Sequence, residues 1–235
     1  MEVLAHRLAP FVGDTSLLVH DALGTGKNVL FEGAQATMLD LDHGTYPFVT
    51  SSNPIASGAA TGVGIGPTRI DRVLGVSKAY VTRVGEGPFP SEIQDPDQER
   101  LQKLGGEFGT VTGRVRRCGW LDLVALRYAV RVNGMTSLAL TKLDVLSAFD
   151  ELPVCVRYRV RGGDETPHFP AHQSDFHHAR PVWHVLPGWQ EPLDDATCVQ
   201  DLPSAAAAYV AFVAEELGIP VELVGVGAAR ERVLA

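Results

Sequence analysis

The stretch Gly109-Thr110-Val111-Thr112-Gly113-Arg114-Val115-Arg116-Arg117-Cys118-Gly119-Trp120-Leu121-Asp122 constrains this chain more than any other. Between Thr110 and Arg117 it sets two threonines, a glycine and three arginines, and an amphipathic run follows at once. A glycine-hinged loop brings backbone N–H groups and hydroxyls close to an anion. Arginine adds a planar, always-charged fork that matches carboxylate and phosphate oxygens two at a time. Alone, such a run reads as a solvated basic turn ahead of a helix. The chain as a whole carries a net charge of −8, so a tight basic island flanked by Thr and Gly points instead to a local anion site.

At 235 residues the chain is long enough for one large or two ordinary domains with a substantial core. Its apolar, charged and glycine content are those of a globular α/β protein. The acidic balance argues against a surface that wraps nucleic acid. Cys118, Cys155 and Cys198 are far apart, odd in number and form no CxxC pair, which speaks against a zinc site or disulfide framework and for a reducing compartment. No signal peptide or membrane-spanning apolar run is visible, so the cytoplasm is the expected location.

Read in order, residues 1–22 predict one or two short helices from Leu4, Leu8, Phe11, Leu17 and Leu18. Gly24-Thr25-Gly26-Lys27 lacks the spacing and the strand–loop–helix context of a phosphate loop and reads as a turn. Asn28 to Gly33 predicts a short buried strand, followed by a loop dense in small, hydroxyl and amide groups. Loops at the carboxyl ends of strands are where α/β proteins usually bind ligands. Gln35 offers donor and acceptor to a base edge there and Thr50 a hydroxyl, while His43 alone reads as structural. A glycine-rich turn from Gly58 to Pro67 leads to a predicted helix from Thr68 to Ser77, then a strand from Lys78 to Gly85. The two prolines of Glu86 to Glu92 demand an extended loop. Helices are predicted from Asp97 to Leu104 and from Trp120 to Val132, strands from Thr136 to Leu140 and from Pro153 to Val160. The segment from His168 to His184 reads as an exposed connecting loop. Leu202 to Leu217 predicts a helix, Pro220 to Val224 a strand, and Gly225-Val226-Gly227 a closing turn.

Thr141-Lys142-Leu143-Asp144, at the end of a buried strand, has a specific chemical use. A fixed carboxylate accepts both N1–H and the exocyclic N2–H of guanine while the lysine stem covers the base; adenine presents no such donor pair. Joined to the arginine loop, this suggests a guanine nucleotide.

The ordered motifs VLFEGAQATMLDLDHGTYPFVTSSNP, TRVGEGPFPSE, EFGTVTGRVRRCGWLD and LTKLDVL closely resemble the adenylosuccinate synthetases, from about Asn28 to the C-terminus and most specifically in the first half. The resemblance implies an α/β fold with a mixed, largely parallel sheet flanked by helices, P-loop-NTPase-like and incomplete at its N-terminus. It divides residues 1–235 into a helical lead-in (1–27), a substrate-binding core (28–150) and a C-terminal subregion (151–235). It implies a ligase forming a C–N bond in the AMP branch of purine biosynthesis, joining IMP and L-aspartate with GTP and Mg²⁺ through 6-phosphoryl-IMP, in a homodimer.

Carried over by motif, Gln35, Thr50, Val84 and Arg114 are implied IMP contacts. Thr110, Val111, Thr112, Gly113, Arg114, Val115 and Arg116 form the implied loop around L-aspartate. Arg116, Lys142, Leu143, Asp144, Gly225, Val226 and Gly227 are implied GTP contacts. Arg117 is expected to tolerate leucine better than Arg114. The sequence departs from the family at Gly225-Val226-Gly227-Ala228, which lacks the usual hydroxyls, and at Val111, Val115 and Ala36, where threonine, arginine and glycine are common. The family's opening phosphate loop, with its catalytic aspartate, Mg²⁺ ligands and following histidine, has no counterpart in these residues. The chain alone is therefore expected to be inactive. The alternative is a non-catalytic purine-nucleotide-binding module.

Overall fold

The computed structural model describes residues 2–94, 96–109 and 113–235. Two helices lead in, α1 (Glu2–Leu8) and α2 (Thr15–Gly24), as the apolar spacing predicts. The Asp14 side chain caps α2 by accepting from Leu17 N at 3.0 Å. The predicted strand from Asn28 to Gly33 does not form: the segment carries no ladder, and Leu30 is 91% exposed. A strand exists only through its neighbour's hydrogen bonds, and none of the described strands pairs with these residues.

A further difference follows. The glycine-rich turn contains a short helix, α3 (Ser57–Val63), stopped by Gly64 in the left-handed region at φ 79°. The predicted helix from Thr68 to Ser77 is only a 3-10 turn at Pro67–Arg69 before strand β1 (Leu74–Lys78). Ile70, Val73 and Leu74 fit helical spacing, but Val73 and Leu74 lie against the next buried strand, where ladder pairing prevails over local periodicity.

That strand is β4 (Ser137–Thr141), buried at four of its five positions, as expected for a strand inside a parallel sheet. The main sheet runs β1-β4-β8-β9, where β8 is Val221–Gly225 and β9 is Val233–Leu234. β1, β4 and β8 are parallel and β9 antiparallel. A two-stranded antiparallel ribbon joins β2 (Val81–Arg83) to β3 (Arg117–Gly119). A third sheet, order β6-β5-β7, packs β5 (Glu151–Arg159) between β6 (Glu165–Thr166) and β7 (Arg180–Pro187). The predicted histidine-rich loop thus holds helix α6 (Gln173–His178) and most of β7. Its polar residues hid that structure because half of an antiparallel pair can face water.

Helices α4 (Pro96–Gly105), α5 (Leu123–Asn133) and α7 (Ser204–Leu217) follow the sequence reading. Leu121, Leu123, Leu138, Leu140, Tyr209 and Val213 belong to one core, each at most 2% exposed. Burying a side chain of this size stabilises by about 1.5–3 kcal/mol. Arg127 ties α5 to α7 and β5, donating to the Glu216 carbonyl and the Val156 carbonyl, both at 3.0 Å, and pairing with the Glu216 carboxylate.

Asp122 caps α5 from inside the core. Its Oδ1 accepts from Ala125 N at 3.0 Å and its Oδ2 from the Tyr158 hydroxyl at 2.5 Å. Burial pushes the carboxyl up to about 6, against the opposing effect of those bonds. Because the folded-state value lies above the ordinary 3.8, the native chain holds the extra proton, and stability falls as pH rises through about 4 to 6. Asp122→Asn keeps the cap acceptor and removes the titration. Its urea midpoint is expected to lack this decline, worth on the order of 2–3 kcal/mol at about 1.36 kcal/mol per unit. A mutant whose pH 4–7 profile parallels wild type would show that Asp122 does not titrate there.

Candidate functional site

The carboxyl ends of β4 and β8 meet where the sequence places its base-reading motif. Lys142 follows β4 with φ 61°, and Gln35 has φ 67°; among the described residues these are the two non-glycine residues with positive φ. Strained backbone of this kind costs about 1–3 kcal/mol and gathers at functional sites. Both were singled out from the sequence. Leu143 is fully buried and opens a 3-10 turn, Leu143–Ala148, which plants Asp144 beside the strand ends. Asp144 Oδ1 is buried with no hydrogen-bond partner among the described residues. Burial pushes that carboxyl up, countered by its own backbone N–H and by Lys142. Gly225 closes the other side: a Cβ there would lie 3.2 Å from Thr141 Cα, a tight contact that would push the two strand ends slightly apart. Val226 is buried and donates from its N–H to the Arg232 carbonyl at 2.9 Å, and Gly227 lies against the Arg232 side chain.

Beside this lies a charged cluster that the sequence reading did not single out. The Glu107 side chain is wholly buried. It accepts from Lys78 Nζ and Lys142 Nζ at 2.8 Å, from Arg116 at 2.7 Å and from the Tyr80 hydroxyl at 2.5 Å. Burial alone would raise its pKa, but the bonds from Lys142, Lys78, Tyr80 and Arg116 hold it at about 2. Lys78 is pulled down by burial and by Lys142 and Arg116, only partly offset by Glu107.

The arginine loop grows from the same carboxylate. Phe108 and Val115 bridge as an antiparallel pair, Arg116 N donates to the Glu107 carbonyl at 3.0 Å, and Gly109 N to the Arg114 carbonyl at 2.8 Å. Gly113, at φ 64°, turns the tip. Arg114 and Val115 are exposed, and Thr110, Val111 and Thr112 lie outside the described residues. Arg117 points into structure: it pairs with Glu92 through both carboxylate oxygens and donates to the Gly85 and Gly87 carbonyls at 3.2 and 3.0 Å.

Thr50 and Val84 sit on loops that the fold draws together. Arg83, adjacent to Val84, donates to Thr45 Oγ1 at 2.9 Å and the Phe48 carbonyl, and Thr50 N donates to the Leu39 carbonyl at 2.7 Å. The Thr50 loop is built around Asp40, a buried carboxylate that accepts from Asp42 N, His43 N, Asn53 Nδ2 and Ile55 N. Gln35 stands on the exposed segment ahead of that loop.

The adenylosuccinate synthetase family model matches residues 1–234. The chain belongs to the adenylosuccinate synthetase family. An adenylosuccinate synthetase from Parafrankia sp. is 59% identical over 230 residues, which are 98% of this chain and 54% of the relative. One from Streptomyces coelicolor is 55% identical with the same coverages. The fully ligated adenylosuccinate synthetase structure from Plasmodium falciparum superposes with a TM-score of 0.95 at 35% identity, covering all of this chain and 56% of that one. A cyanophage S-2L succinoaminodeoxyadenylate synthetase shares the fold at a TM-score of 0.55 and 18% identity. The chain spans about half the length of the adenylosuccinate synthetases it matches. The sequence expectation of an α/β fold with a mixed, largely parallel sheet flanked by helices holds.

The sequence reading missed Glu107 and Asp40, which stand as an acid ahead of the basic run and as the first acid of Asp40-Leu41-Asp42-His43-Gly44 in this adenylosuccinate synthetase segment. What the sequence could not give is that each is buried and multiply bonded. Among the described residues no cluster of three or more His, Cys, Asp or Glu side chains could hold a metal ion, and no helix is long and apolar enough to cross a membrane.

Proposed function

We propose that this chain supplies the guanine-reading and aspartate-clamping part of a GTP-dependent ligase that joins IMP and L-aspartate into adenylosuccinate, through 6-phosphoryl-IMP. The observation that carries this reading is the buried Asp144 Oδ1, without a hydrogen-bond partner among the described residues, beside Lys142 at the carboxyl ends of parallel strands. An acceptor left so costs free energy unless donors meet it, and guanine's N1–H and N2–H are such a pair. Lys142 covers the base, the Gly225 to Gly227 backbone walls it, and Arg116 meets the nucleotide's anionic part. Gln35, Thr50, Val84 and Arg114 hold IMP, and the loop from Thr110 to Arg116 closes on L-aspartate, with Arg114 forking its carboxylate.

Phosphoryl transfer relies on positioning and charge neutralisation. No step is routed through a metal held by this chain. The reading assigns the phosphate-gripping and Mg²⁺-binding centre to the part of the relatives that this chain does not span. It also places the working enzyme in the cytoplasm as a homodimer. The test is complementation. The chain alone, with IMP, aspartate, GTP and Mg²⁺, is expected to give no turnover. Mixed or fused with the remaining segment of a relative, it is expected to reach on the order of 1 per second. Full activity from the chain alone, or none from the complemented protein, would overturn the reading. Purine-nucleotide binding without any restored turnover would favour the binding-module alternative.

A further inference from the structure

We infer that Glu107 is the positioning residue of the nucleotide site: one buried carboxylate that fixes Lys142 and Arg116, with Lys78 as the third cation of the set. This rests on the guanine-nucleotide reading above and adds a residue that the reading does not use.

Four side chains from three separate parts of the chain converge on Glu107. Lys78 ends β1, Tyr80 lies in the turn beyond it, Arg116 closes the arginine loop, and Lys142 follows β4. Each places its polar atom within 2.5–2.8 Å of the carboxylate. Lys142 is held from a second side by the Gly105 carbonyl, at 2.5 Å. With a stiff left-handed backbone and two acceptors on its ammonium, its stem has little freedom to swing. The charge balance argues against a knot that serves folding alone. Three cations surround one anion, so even with Asp144 beside Lys142 a surplus positive charge remains inside a chain whose net charge is −8. The three cations repel one another, and a self-contained ion pair gains nothing from the excess. The excess is useful where an anion arrives. Arg116 and Lys142 keep 28% and 34% of their side chains exposed, while Glu107 keeps none. Both cations therefore stay partly accessible with their bonding to Glu107 already made, a preorganised charge for the nucleotide.

The experiment measures GDP, ADP and IMP affinities by calorimetry on the complemented enzyme as wild type, Glu107→Gln and Glu107→Asp. Glutamine keeps the size but brings an N–H₂ donor toward cations, so at least one partner is released. GDP is expected to bind about tenfold or more weakly, the value of losing one hydrogen bond to a charged group, while IMP affinity stays within about twofold. Glu107→Asp keeps the charge and is expected to recover part of the GDP affinity. Should Glu107→Gln fail to fold, Glu107→Asp carries the test, since its shorter arm cannot reach all three cations and GDP alone should weaken several-fold. GDP and IMP weakening equally, or neither changing, would mean that Glu107 only supports the fold. A wild type that binds GDP no better than ADP would remove the guanine reading, and this inference with it. A wild type with that preference and a mutant with full GDP affinity would remove the inference alone.

Discussion

Arg117→Leu is expected to lower stability by about 2–3 kcal/mol, more than Arg114→Leu at its exposed position. The sequence reading expects Arg117→Leu to raise the aspartate KM less than Arg114→Leu, because Arg117 faces the other way before the Cys118–Gly119 turn. The structure adds a stability cost at Arg117 that this comparison of aspartate binding does not cover. The Arg117 guanidinium holds Glu92 with a two-pronged pair, satisfies two loop carbonyls and lies over the Phe89 ring at 5.4 Å. Leucine would leave Glu92 and the Gly85 and Gly87 carbonyls without these donors. Breaking a fully buried pair costs about 3–5 kcal/mol, and the partial exposure here, 30% and 18%, reduces it. The cost should also reach function, because the loop that Arg117 anchors carries Val84. Arg114→Leu should act on the substrate instead, weakening apparent aspartate binding by roughly 2–5 kcal/mol in the complemented enzyme. Denaturant unfolding and the aspartate KM, measured on both variants together, check this. Equal stabilities would mean that Arg117 is no special anchor, and a larger aspartate effect at Arg117 would mean that the substrate face of the loop is the other one.

The elements most legible in the sequence were those whose stability is local or whose burial is complete. Helices α5 and α7 announce themselves through apolar spacing, although α5 starts at Leu123, three residues after the predicted start, because Asp122 caps it. Strand β4 shows as an unbroken apolar run because both its faces are buried. Harder to read were elements that depend on a partner far along the chain. Asn28 to Gly33 has the composition of a strand and no ladder, and β1 has the spacing of a helix yet pairs with β4 across about sixty residues. β7 was hidden by the polar, histidine-rich segment that leads into it and by a strand that is itself largely exposed. The site divides in the same way. Lys142 and Asp144 could be named from four consecutive residues, since a strand end and a carboxylate suffice to suggest the chemistry. Glu107 could not, because its importance lies in being reached from β1, β4 and the arginine loop at once.

Asp144→Asn is expected to have the largest effect on nucleotide choice. The Asp144 carboxylate is held in partly dehydrated surroundings with one oxygen unpartnered among the described residues. Guanine offers it two donors in line. Adenine offers an acceptor at N1, so an adenine nucleotide would leave the buried oxygen unmet and face it with a lone pair. A site built to receive such donors rejects the analogue lacking them by on the order of 10⁴. Asparagine is nearly the same size, so the fold should tolerate it, but its N–H₂ group confronts one of guanine's donors. The loss falls on GDP. The ADP affinity should stay the same or improve. The direct measurement is the ratio of GDP to ADP dissociation constants, by calorimetry on the complemented wild-type and Asp144→Asn proteins. The account predicts a strong preference for GDP in wild type, reduced by about a hundredfold or more in the mutant, as for two hydrogen bonds to a charged group. An unchanged ratio would contradict it and remove Asp144 from the base site.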